Sequence, residues 1–167
     1  GNTMKTLYLI RHAKSDRSDE TLSDYDRPLS HRVLKDAPLM GSKLLEKGIY
    51  PDLILSSPAL RAKTTALAIA EALSYPPESI RYDHALYACD TQTILSLIRD
   101  VSPSVDTLFV FGHNPEFTEC ANLITLGDID NIPTCGVVEM RLLTDNWKSI
   151  GENSAELSGF DFPKKYR

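Results

Sequence analysis

The chain has a single tryptophan and only three cysteines, Cys89, Cys120 and Cys135, which lie far apart and form no CxxC pair. That usage excludes a disulfide framework and a structural zinc site, and the thiols read as reduced and buried. No apolar run approaches the length of a membrane span, and the one nearest the N-terminus is too short for a signal-peptide core, so the cytoplasm is the expected compartment. Positive charge is also in deficit: 18 Lys and Arg against 23 Asp and Glu leave a formal net charge of -5, which argues against a nucleic-acid surface. A site for an anion must then be a local basic pocket. Neither G-x-G-x-x-G nor a Walker A sequence is present, so the Gly-rich nucleotide cradles are missing too. Internal repeats, linkers and low-complexity stretches are likewise absent.

With 167 residues, the chain can bury a proper core without metal or disulfide staples, and one domain over residues 4–167 is expected. Gly1-Asn2-Thr3, ahead of Met4, read as a cloning remnant. The stretch that organises the rest is Leu7-Tyr8-Leu9-Ile10, four apolar residues without alternation, as in a short strand buried on both faces. It ends abruptly in Arg11-His12. In open α/β sheets ligands gather at the carboxyl ends of strands, and an imidazole beside a guanidinium fork at such a point suits a phosphoryl group. Lys14 to Ser30, rich in Asp, Ser and Arg, has no periodicity and predicts a long loop over that edge.

The strand-and-helix rhythm then repeats. Asp36-Ala37-Pro38 predicts a helix cap, with Leu39, Met40, Leu44 and Leu45 as the apolar face and Gly48 as the stop. Leu53-Ile54-Leu55 predicts a second buried strand, and Ser57-Pro58 the cap of a helix to about Leu73, placing Arg61 in its first turn. Ile80 to Tyr82 reads as a small edge strand, and Asp90 as the cap of a helix over Thr91 to Arg99. Leu108 to Gly112 is the next strong strand and ends in His113-Asn114-Pro115, before a helix from Glu116 to about Leu126. Val137 to Leu143, Trp147, and Glu156 to Phe162 read as antiparallel strands joined by polar turns.

Taken in order, Arg11-His12-Ala13-Lys14-Ser15, Arg27-Pro28-Leu29-Ser30, Ser56-Ser57-Pro58 with Arg61-Ala62, Leu86-Tyr87-Ala88 and Gly112-His113-Asn114-Pro115 resemble the histidine phosphatase superfamily, also called phosphoglycerate-mutase-like. The likeness runs from about Leu7 to Phe162 and is greatest to the small SixA-type phosphohistidine phosphatases. It implies an α/β three-layer sandwich, a mostly parallel central sheet flanked by helices with antiparallel strands from the C-terminal region. It also implies catalytic roles for His12 as nucleophile and for Arg11, Arg61 and His113 around the phosphoryl group, with Ser15 and Asn114 as further substrate contacts. No metal or other cofactor is implied. Expected partners are a phosphorylated substrate, such as a phosphohistidine-bearing signalling protein, with no nucleic acid and no membrane.

One departure bears on substrate choice. Larger relatives carry an acid in an insertion or directly after the second histidine, whereas Asn114 follows His113 here; Asp16, Asp19, Glu20 and Asp90 are donors by position only. Imidazole leaves a P–N bond far more readily than an alkoxide leaves a P–O bond, so a site without an obvious acid is expected to act on phosphohistidine. The alternatives are a small-molecule or sugar-phosphate phosphatase, or an idle phosphate-binding module.

Overall fold

The computed structural model describes residues 4–15, 22–30 and 34–167. A six-stranded sheet forms its centre, built from β1 (Thr6–Arg11), β2 (Leu53–Ser56), β3 (Arg81–Tyr82), β4 (Thr107–Gly112), β5 (Val137–Leu142) and β6 (Ala155–Asp161). The strand order is β3-β2-β4-β1-β5-β6. The first four strands are parallel; β5 runs antiparallel to β1, and β6 antiparallel to β5. The fold is therefore the expected α/β sandwich, with its antiparallel strands near the C-terminus.

Two helix pairs cover the two faces: α1 (Asp36–Glu46) with α2 (Leu60–Ala72), and α3 (Thr91–Arg99) with α4 (Glu116–Thr125). Strand geometry sends successive side chains to opposite faces, so a strand covered on both sides must be apolar throughout. In β1, Leu7 and Leu9 join the cluster under α3 and α4, while Tyr8 and Ile10 join the one under α1 and α2. In β4, Leu108 and Val110 divide from Phe109 and Phe111 in the same way. Each fully buried Phe or Leu contributes on the order of 2 kcal/mol of transfer free energy. The alanine-rich α2 lies close against α1, where a Cβ on Gly41 would come within 2.6 Å of Ala72 Cβ.

Some local expectations are corrected. Asp36 is the first residue inside α1 and is itself buried, with Lys35 at the cap. The buried face of α1 is Ala37, Met40, Gly41 and Leu44, while Leu45 is 58% exposed, because a buried stripe follows 3.6-residue spacing and Leu45 falls outside it. Ser57 accepts from the Ala59 amide ahead of α2, whose cap position is Ala59. Trp147 is in no strand: it opens a single 3₁₀ turn, fully buried, with its indole donating to Val105 O at 2.7 Å. A buried indole needs an acceptor, and that carbonyl lies just ahead of β4, 42 positions earlier in the chain. Cys120 and Cys135 are buried and free, whereas free Cys89 is only half-buried.

Candidate active site

β1 and β4 are adjacent and in register, with Arg11 opposite Gly112, so the residues that follow them, His12 and His113, leave the sheet side by side. Their rings lie 5.3 Å apart between centroids. Gly112 keeps this junction narrow: a Cβ there would stand 2.6 Å from the Phe117 ring, so a larger residue would force that buried ring to move. Arg61 arrives from the first turn of α2 and donates its Nε–H to His12 Nε2 at 3.3 Å. His12, Arg61 and His113 are all at least nine-tenths buried, at 8%, 7% and 8% exposure. Arg11, Ser15 and Asn114 line the same open cavity, about 1060 Å³ in volume.

His12 is held from both ends. Its Nδ1 lies 2.5 Å from Ala13 O, a partner that can only accept, so the proton sits on Nδ1 and the Nε2 lone pair is left free to accept, here from Arg61 Nε–H. The turn carrying this carbonyl is pinned in its turn, because Ala13 N donates to Thr65 Oγ1 at 3.0 Å and that hydroxyl donates to Arg61 O at 2.8 Å. Burial drives the His12 pKa from 6.5 down to about 3, the Ala13 carbonyl opposes the fall, and the charges of His113, Arg61 and Arg11 add to it. His113 is lowered to about 4, again chiefly by burial, with Arg61 and Arg11 adding and Asp24 opposing. A neutral, desolvated imidazole is the nucleophilic form.

His113 shares a 2.8 Å hydrogen bond with the Ser57 hydroxyl through Nε2, while its buried Nδ1 has no partner among the described residues. Arg11 donates Nη1 to Ile132 O at 2.8 Å, and its buried Nε is also without a partner among the described residues. Unpaired buried donors and acceptors are costly unless something is meant to meet them. An anion among these groups would supply the acceptor they lack and reverse the electrostatic penalty on protonating the imidazoles.

Asn114 has a structural post: its Oδ1 accepts from Thr118 N and Oγ1, and its Nδ2 donates to Asn131 Oδ1 and Ile132 O. That uses its whole hydrogen-bonding capacity on the start of α4 and the segment beyond that helix. Ser15 is buried on the cavity wall, its backbone bridged to Leu29. Of the four carboxylates named from position, Asp16, Asp19 and Glu20 lie outside the described residues. Asp90 caps α3, accepting from Thr93 N at 2.8 Å.

Residues that the sequence did not mark complete the site. Asp24 accepts from Arg61 Nη2 at 2.9 Å and from the Tyr87 hydroxyl at 2.7 Å. Burial works to raise its pKa, but those two hydrogen bonds and the positive charge of Arg61 and Arg27 hold the carboxyl below its ordinary value. Asp36 and Glu116 also line the cavity, and Glu116 has a buried Oε2 without a partner among the described residues. Apart from Tyr87, which stands in a recognisable tripeptide, only a three-dimensional arrangement could have singled these out.

Comparison with known proteins agrees with this geometry. The family model described as "Histidine phosphatase superfamily (branch 1)" matches residues 7–89. An uncharacterized protein of Mycobacterium tuberculosis is 32% identical over 167 residues, covering 93% of this chain and all of the relative. A chloroplastic protein of Arabidopsis thaliana, also uncharacterized, is 31% identical over 163 residues, covering 93% of this chain and 72% of the relative. Among solved structures, the SixA protein of Agrobacterium tumefaciens, assigned as a phosphohistidine phosphatase, superposes with a TM-score of 0.82 at 26% identity over 95% of this chain and 98% of that one. A tungstate complex of the protein histidine phosphatase SixA has the same fold, with a TM-score of 0.83 at 19% identity over 97% and 99% of the two chains.

Proposed function

The chain belongs to the histidine phosphatase superfamily, in its small SixA-type branch, and from that premise we propose that it removes the phosphoryl group from phosphohistidine on another protein. It is a histidine-nucleophile phosphatase acting on a phosphorylated substrate. In our reading the nucleophile is His12 Nε2. Its lone pair attacks phosphorus as the P–N bond to the substrate imidazole breaks, and the leaving nitrogen takes a proton from solvent. Water then attacks the phosphoryl group on His12, giving inorganic phosphate and restoring the imidazole.

Phosphoryl transfer is mainly positioning and charge stabilisation. Arg11 and Arg61 provide guanidinium forks, His113 a further donor, and Ser15 a hydroxyl. The observation that carries the preference for phosphohistidine is the state of Asp24. The carboxylate that touches the arginine of this constellation is held ionised by Arg61 and Tyr87, so it is a poor proton donor. Imidazole, titrating near 6.5, needs little help to leave, whereas an alkoxide needs a donor. An open cavity of about 1060 Å³ also leaves room for a side chain presented on a protein surface.

One observation favours the small-molecule alternative: Glu116 lines the cavity with a buried carboxylate oxygen that has no partner among the described residues, at a place where an acid for an alkyl ester would have to stand. A substrate panel decides. The expected order of kcat/KM is phosphohistidine, then an aryl phosphate, then alkyl and sugar phosphates, each step at least about tenfold, or roughly 1.4 kcal/mol of barrier. A sugar phosphate turned over best, with activity lost in Glu116→Gln, would overturn the protein-substrate reading.

A further inference from the structure

We propose that Asp24 and Tyr87 form a latch that sets the attitude of Arg61 towards His12, making Asp24 a positioning residue for the reaction. A guanidinium is rigid and planar, so fixing one edge fixes the other. Among the described residues the outer edge of Arg61 is taken by Asp24: Nη1 donates to its backbone carbonyl at 2.5 Å, and Nη2 to its carboxylate at 2.9 Å. The inner edge then presents Nε to His12 Nε2 at 3.3 Å. Each Nη nitrogen keeps a second N–H for a phosphoryl oxygen.

The latch itself stands on a segment without helix or strand, and it is held from the side. Tyr87 donates to the same carboxylate oxygen at 2.7 Å, and that bond keeps the proton on the phenol by raising its pKa. The neighbouring Tyr25 accepts from Leu60 N through its carbonyl at 2.9 Å, stacks on His84 at 5.8 Å and meets Tyr87 edge-on at 5.2 Å. Tyr87 in turn lies edge-on to His113 at 5.6 Å. One hydroxyl thus connects the arginine beside the first histidine with a ring packed on the second.

Exposure determines where the effect should be read. The Asp24 side chain is 48% exposed, and ion pairs with a partner that open to water add little to stability. Their geometric consequence for a buried neighbour is not screened in the same way, and misplacing a catalytic group slightly is costly to rate. The latch therefore belongs in kcat and hardly in Tm.

The test uses the full chain with an aryl phosphate as substrate and inorganic phosphate as inhibitor. Asp24→Ala should lower kcat by about tenfold or more, and Asp24→Asn and Tyr87→Phe by less, with KM and the phosphate inhibition constant within about twofold and Tm near wild type. Because Tyr87 acts through Asp24, the double variant Asp24→Ala/Tyr87→Phe should be no slower than Asp24→Ala. Asp26→Asn, whose carboxylate accepts from Ser23 in the same loop, should behave as wild type. The latch is refuted by wild-type kcat in Asp24→Asn and Tyr87→Phe, by fully multiplicative losses in the double variant, or by losses that track Tm. Tighter phosphate inhibition with kcat retained would refute it as well, by making the carboxylate a competitor for the arginine. If Asp24→Ala does not fold, the two near-isosteric variants carry the test. The inference rests on the phosphatase reading, and the two fail separately: that reading falls if the wild type hydrolyses no phosphate, the latch if the wild type works and the variants match it.

Discussion

The ends of β1 and β4 look alike on paper, each an apolar strand followed by a histidine, yet the structure equips them differently. His12 and His113 are equally buried, at 8% exposure, and burial is the main cause that holds each imidazole neutral. What differs is the partner. His12 faces a backbone carbonyl, which fixes its tautomer and dedicates Nε2 to one task. His113 faces the Ser57 hydroxyl, which can donate or accept, and its other nitrogen is unpaired among the described residues. A fixed tautomer suits a nucleophile, and a free one suits a group that donates to a phosphoryl oxygen and takes up a proton when the anion arrives. The same burial thus serves two tasks, and the hydrogen-bond partner decides which.

That contrast can be broken most directly by removing each ring. His12→Ala should lower kcat by at least about a thousandfold and abolish any acid-labile, alkali-stable phosphoenzyme. His113→Ala should cost on the order of a hundredfold and still form that phosphoenzyme, since it removes a stabilising donor and leaves the nucleophile. A labile phosphoenzyme in His12→Ala would exchange the two roles.

A smaller effect sharpens what the two ends share. Their pKa values of about 3 and about 4 stand below the ordinary 6.5, so between those limits the unfolded chain binds protons that the folded chain refuses. Stability from this source is complete above about pH 6.5 and is lost as the pH falls towards 4. Tm measured by calorimetry should therefore drop on acidification in the wild type, and drop less in His12→Gln/His113→Gln. Equal slopes would show that burial does not hold the rings neutral. The smallest expected effect is none: no group of three or more His, Cys, Asp or Glu among the described residues could hold a metal ion, and EDTA should leave kcat unchanged. Loss of activity to EDTA with recovery on adding a divalent ion would contradict this.

The features that were legible in the sequence are those that repeat locally. Unbroken apolar runs announced β1, β2 and β4, and a charged or small residue at each end announced the edge where Arg11, His12 and His113 lie. Trp147 falls in a 3₁₀ turn and not in the expected strand, because a lone aromatic between turns has no period to follow and its place is decided by one distant carbonyl. Asp24 sits in an acidic, aperiodic loop where sequence offers no reason to prefer it to its neighbours; its distinction is a partner 37 positions away. Thr65 is similar, an ordinary helix residue until the turn after β1 comes to rest on its hydroxyl. Asn114 lines the cavity as a substrate contact would, and its hydrogen bonds to helix α4 and the segment at Ile132 are legible only in three dimensions.

The central seat of β1 has a consequence for how the molecule acquires activity. Its partners are β4 and β5, with Thr6 opposite Thr107 on one side and Arg141 on the other, so the strand that carries the nucleophile has no sequence-local neighbour in the sheet. Loop closure over such spans is entropically expensive and must precede the contacts that repay it, which makes folding slow for topologies of this kind. His12 has a wall on either side only once both β4 and β5 have joined β1. Catalytic competence should therefore emerge in a single late step, and a ribosome-bound fragment that stops short of β5 would hold every catalytic residue and still lack half the frame that aligns them.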